Sequence, residues 1–288
     1  MTVLAVISLS AFIRLSNAGL GCADWPQCYG ERGVEAAAGG ARSDPITATV
    51  VARLAHRVLA VLALLIIVVL IMVCFSERPR LRAQGSIAVA LLALALFLAV
   101  LGRWSSGAHA PAISIANLIG GFAMLALSLR LAIGADASPR LRQRVAAVAA
   151  LLLLLAQVAF GGLVSASHAG LSCAGWSDCA AAARAIPWST LDPWREPLLL
   201  AGPPFNPAGA LSQSIHRVMA LLLLPVLLSL AILARRGGRP RIAAALIALL
   251  AAQLIAGLAM VQGSLPLGLA LLHNLLAAWL LATLVLLV

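Results

Sequence analysis

The sequence predicts an all-α integral membrane protein: eight transmembrane helices arranged as two tandem-repeat four-helix bundles. Three observations carry this prediction. First, 63% of the 288 residues are apolar and mean hydropathy is +1.06, whereas soluble chains are about half apolar. Second, residues 58–73, 87–101, 145–164, 211–234 and 242–261 hold few or no charges. Such runs approach or exceed the roughly 17–25 residues a membrane-crossing helix needs. Helices are the form they take, because lipid offers no partner for an unpaired backbone group. Third, several motifs occur twice in the same order.

The spans are expected at about 1–16, 48–75, 86–104, 111–133, 145–165, 210–234, 241–262 and 265–288. The first is short and begins at Met1. No basic segment precedes it and no A-x-A-like site follows, so it reads as a span rather than a signal peptide. A leader ahead of this start is compatible with the pattern. The formal net charge is +11, with twenty Arg and no Lys. Much of the Arg sits in three short connections: Arg78, Arg80 and Arg82; Arg140, Arg142 and Arg144; and Arg235, Arg236, Arg239 and Arg241. Eight spans put all three on one side, the cytoplasmic one by the positive-inside rule. Both termini are then cytoplasmic, and the long connections 17–47 and 166–209 lie outside. This arrangement argues against a nucleic-acid partner and for a lipid one. All nine acidic residues lie in connections or at span ends. A proton-driven transporter commonly needs a carboxylate within the membrane, so that class loses ground.

The repeats divide the chain. "AGLGCADWPQC" at Ala18 is matched by "AGLSCAGWSDC" at Ala169, with Asn17 ahead of one copy and His168 ahead of the other. "AHRVLAVLALL" at Ala55 matches "IHRVMALLLLP" at Ile215, and "ANLIGGFAMLAL" at Ala116 resembles "HNLLAAWLLATL" at His273. Residues 1–134 and 145–288 are therefore expected to be duplicated four-helix units of the same topology, joined by a basic linker at 135–144. Of five Cys, four form two C-x5-C pairs, Cys22/Cys28 and Cys173/Cys179, both in the outer connections. An oxidising outer compartment allows each pair to be a loop-pinning disulfide or a redox-active pair. The spacing is not that of a zinc site. Cys74, near the cytoplasmic end of its span, reads as a small apolar residue.

Five His are present. His56, His216 and His273 enter their spans from the outer side, to depths of roughly 9–12 Å at about 1.5 Å per residue. His216 and His273 come from two helices of the second half at nearly one depth. A histidine inside a membrane marks function by default. Two neutral imidazoles from facing helices suit the axial positions of an iron porphyrin, for which bundle cores are ordinary sites. The alternative is that each imidazole hydrogen-bonds a neighbouring helix. A non-haem metal is less suited, since no carboxylate is at hand to complete its shell. Arg57 and Arg217 each follow a His directly. They either neutralise porphyrin propionates or reach the surface. His168 adjoins the outer surface, and His109 receives no role. In the first half His56 matches His216, but Ala116 or Asn117 stands where a counterpart of His273 is expected.

"RLSNAGLGCADWPQCYG" followed by "RLAHR", then "GGLVSASHAGLSC", "IHRVMA" and the final "HN", resembles the heme A synthase family over nearly the whole chain. The resemblance implies two four-helix bundles, with a haem b held by His216 and His273 in the second. It implies that the first bundle receives heme O as substrate and oxidises a ring methyl to formyl, with His56 catalytic and with oxygen and electrons consumed. The product, heme A, serves cytochrome c oxidase. The bacterial cytoplasmic (inner) membrane is the implied location. Heme O synthase and cytochrome c oxidase assembly proteins are the implied partners, and Cys22/Cys28 is the implied redox-sensitive pair. The sequence departs from the family pattern twice. Arg53 stands where the family usually has Glu, and Asn117 or its neighbour where it usually has a second first-half His. A non-catalytic haem-binding paralogue, acting in electron transfer or haem handling, is the main alternative. A transporter or assembly factor with structural His is a third reading.

Overall fold

The computed structural model describes residues 1–17, 48–77, 81–105, 110–133, 141–173, 175–197 and 206–288. In chain order its helices are α1 (Thr2–Asn17), α2 (Ala48–Ser76), α3 (Arg82–Ser105), α4 (Pro111–Ile133), α5 (Leu141–Ala166), α6 (Trp176–Arg184), α7 (Ala210–Arg236), α8 (Pro240–Gln262) and α9 (Leu267–Val285). Short 3₁₀ turns occupy Trp188–Leu191 and Pro207–Gly209. Ala and Leu, the strongest helix formers, fill the long segments. Proline marks their starts, at Pro111 of α4 and Pro240 of α8, where a missing N–H costs nothing.

Among the described residues seven helices are long and apolar enough to cross a membrane, and Thr2–Ser16 is a shorter apolar one. The expectation of eight spans thus meets seven long helices plus α1, which at 16 residues falls just below the usual crossing length of about 17. The chain is a helical, multi-pass membrane protein. Within the connection 166–209 it also forms α6, nine residues long. No apolar run announced this helix.

Packing arranges the long helices in two rings. Helix α1 packs on α2, α2 on α3, α3 on α4, and α4 on α1. Likewise α5 packs on α7, α7 on α8, α8 on α9, and α9 on α5. The seam between the rings joins α4 to α5, α1 to α9, and α4 to α9. The main hydrophobic core belongs to the second ring, but Ile7 of α1 and Phe122 and Leu125 of α4 are part of it. At the seam Gly162 admits Leu118 and Ile115 so closely that a Cβ there would stand 3.1 and 3.3 Å from their side chains. Small residues let membrane helices approach in this way. By contrast, only 11% of the most apolar window of α2 is buried, leaving a broad apolar face suited to lipid.

Candidate functional site

The two histidines of the second ring sit in matching settings. His216 projects from α7 toward α5. There Gln157 Nε2 lies 3.1 Å from His216 Nδ1 and donates to the His216 carbonyl at 3.0 Å. One turn on, a Cβ at Gly161 would come within 3.0 Å of the ring carbon Cε1 of His216. His273 on α9 faces α8, where Gln253 Nε2 lies 3.1 Å from His273 Nε2. A Cβ at Gly257 would come within 3.1 Å of His273 Cε1. Each imidazole therefore rests on a Q-x3-G face, because residues four apart lie on one side of a helix. The amide holds the ring, and the missing side chain lets the ring lie close to the neighbouring helix.

Both imidazoles line one cavity of about 570 Å³, within the roughly 300–1,000 Å³ of ordinary small-molecule sites. Leu154, Val158, Leu223 and Leu250 supply apolar wall. Into this space face polar atoms that find no partner among the described residues: buried Gln157 Oε1, Gln253 Oε1 and His273 Nδ1. Buried polar atoms are satisfied in the great majority of cases, so this set points to a bound group with its own polar or metal atoms. Among the described residues no three of His, Cys, Asp and Glu gather as a metal site. Two imidazoles alone are a thin shell for a bare ion. A porphyrin iron arrives with four nitrogens and lacks only two axial donors. The residues present fit that group.

The second cassette forms a cover beside this cavity. Cys173 and Cys179 are joined by a disulfide, with 5.1 Å between their Cα atoms. Two side chains one turn apart on α7 hold it, on either side of His216 in sequence. Gln213 accepts from the Cys173 N–H at 3.1 Å and donates to the Gly170 carbonyl at 2.7 Å. Arg217 donates to the Gly175 carbonyl at 3.2 Å, to the Cys173 carbonyl at 3.3 Å and to Cys179 Sγ at 2.9 Å. Arg217 thus lines the cavity while its guanidinium latches the disulfide loop. His168 also lines the cavity and has φ +55°. It ends α5 in the left-handed conformation, which His and Asn tolerate better than most residues. Burial lowers its pKa from the ordinary 6.5.

The first-half residues are placed differently. His56 is half-buried on α2, with Arg57 and Arg53 exposed nearby. None of the three lines the cavity. Ala116 and Asn117 are half-buried on α4, which reaches the cavity through Leu118 and Phe122 instead. Cys22, Cys28 and His109 lie outside the described residues. Cys74 is a buried free thiol, as its apolar setting suggested. The sequence reading missed Gln157, Gln253 and Arg14. A signal for the glutamines was present: two intramembrane Gln, each followed by Gly four positions later. Arg14 of α1 enters the second ring's cavity, and no motif foretells that.

These features define a class: a multi-pass helical membrane protein with paired intramembrane imidazoles lining one cavity. The chain matches the cytochrome oxidase assembly protein family (COX15-CtaA) over residues 1–285. It is 30% identical to the heme A synthase of Shewanella oneidensis over 310 residues, covering 98% of this chain and 91% of that protein. The chain belongs to the heme A synthase family, a family of cytochrome oxidase assembly.

Proposed function

We propose that this protein is a haem-dependent oxidoreductase that converts heme O to heme A, oxidising a ring methyl to formyl, for cytochrome c oxidase biogenesis. The reading rests on family membership and on one observation above all: His216 and His273 line a common cavity, each backed by a Q-x3-G helix face. In this reading His216 and His273 would hold a haem b, which would supply a one-electron redox centre. Gln157 and Gln253 orient the rings, as outer-sphere hydrogen bonds do for metal-binding histidines. The leucine-rich wall keeps water from the site. The first ring, with His56 as its catalytic residue, receives heme O. There two hydrogens of the methyl are exchanged for one oxygen; two dioxygen molecules are consumed, and four electrons and four protons from an external donor carry the remaining oxygen away as three waters. The protein lies in the bacterial cytoplasmic membrane with both termini and the Arg-rich connections cytoplasmic, and heme O synthase is its natural supplier.

Arg53 and Asn117 favour a second reading, in which the second ring holds a haem and the first performs no chemistry. One experiment separates the two. The chain is expressed in a host that makes heme O but no heme A, and the haems are extracted and identified. Appearance of heme A is expected. Haem b alone, with heme O undiminished, sinks the enzyme reading and leaves the haem-binding one.

A further inference from the structure

Arg14 belongs to α1, in the first ring, yet it lines the cavity of the second. Its guanidinium spans the two sides of that cavity. Nη1 donates to Ser165 Oγ at 2.9 Å, and Nη2 donates to Asn274 Oδ1 at 3.4 Å. Ser165 lies one turn beyond Gly161 on α5, the face that backs His216. Asn274 directly follows His273. Arg14 therefore bridges the helix that backs His216 and the helix that carries His273.

Both partners are neutral, and two of five donors are used. Among the described residues the cavity walls carry Arg14 and Arg217 but no Asp or Glu. A guanidinium held in an apolar enclosure without an anion is costly. Arg217 is engaged with the disulfide loop. Among the described residues Arg14 has no further partner than these two, which leaves donors in the planar fork that matches a carboxylate.

We propose that Arg14 is the anion seat of the cavity and takes a propionate carboxylate of the tetrapyrrole held between His216 and His273. The first ring thereby supplies a binding residue to the second ring's cofactor, and the site is incomplete without α1. This inference rests on the haem reading of the cavity.

The test uses the full chain, purified in detergent, stripped of pigment and titrated with protohaem or with its dimethyl ester, whose carboxylates are blocked. Wild type should hold the diacid about ten- to a hundred-fold more tightly than the diester, the range for a charge-assisted pair. Arg14→Gln should lose most of that preference, and Arg14→Lys should keep part of it. Absorbance of the bound pigment is the readout, so no turnover is needed. If Arg14→Gln does not fold, the diacid-to-diester ratio of wild type and Arg14→Lys still decides. Equal binding of diacid and diester by wild type overturns the proposal, and so does an unchanged preference in Arg14→Gln. If wild type binds no tetrapyrrole at all, the haem reading falls too. A lipid headgroup as the occupant would show as diester binding undiminished and as competition by anionic lipid.

Discussion

The His-Arg motif occurs on α2 and on α7, and the two helices treat it differently. On α7, His216 meets Gln157 and Gly161 of the neighbouring helix, lines the cavity, and is followed by an Arg217 that secures the disulfide cover. On α2, His56 is half-buried, Arg57 is exposed, and neither reaches that cavity. The reason lies on the facing helices. At the cassette's spacing of 151 residues, Gln157 and Gly161 correspond to Val6 and Ser10 of α1. Valine offers no amide, and serine adds a side chain where glycine left room. In α3, the counterpart of α8, Gln84 stands at the start and the apolar interior has no glutamine. An identical dipeptide thus has different surroundings because its partners changed. The second half is built to fix two rings, and the first is not built that way.

The largest expected effect tests the contrast itself. His216→Ala and His273→Ala should each abolish the low-spin haem absorbance of the purified protein, while His56→Ala leaves it intact. Retention of that signal in both second-half variants would remove the asymmetry. A smaller effect sharpens it. Gln157→Leu and Gln253→Leu should each weaken haem retention by about ten- to a hundred-fold, the usual cost of losing an outer-sphere partner of a metal ligand. The reverse change, Val6→Gln, should leave retention unaltered, measured as haem per protein after dilution.

The smallest effect concerns His168, which stands where the first cassette has Asn17. Burial lowers the pKa of His168 below the ordinary 6.5, so the folded state binds fewer protons than the unfolded state. Stability should then fall as pH drops below about 6.5, with a slope of at most about 1.4 kcal/mol per pH unit for one proton. His168→Asn keeps a residue that tolerates the left-handed backbone and should flatten that slope in thermal melts between pH 7 and 5. An unchanged slope would assign the pH dependence elsewhere.

The apolar runs located the long helices closely. Residues 111–133 were expected and Pro111–Ile133 is found; residues 48–75 were expected and Ala48–Ser76 is found. His216 and His273 were legible for a related reason: a titratable ring inside lipid stands out against leucine and alanine. Helix α6 was not legible, because a segment of nine residues is far too short to carry a membrane signal. Gln157 and Gln253 were present as letters, but an amide acquires a role only from the ring it faces. Arg14 opens the motif RLSNAGLGC, and nothing local ties it to the second half.

By itself the sequence determined the helical membrane class, the position of the long apolar helices, and the family. These depend on hydropathy summed over some twenty residues and on motif order, both of which are local properties of the chain. Tertiary structure alone decided that both histidines share one cavity, that Arg217 serves the disulfide loop, and that Arg14 crosses the seam. Those facts depend on which helix packs on which, and at what height. Close approach at glycines such as Gly161, Gly162 and Gly257 sets that height between residues far apart in the chain.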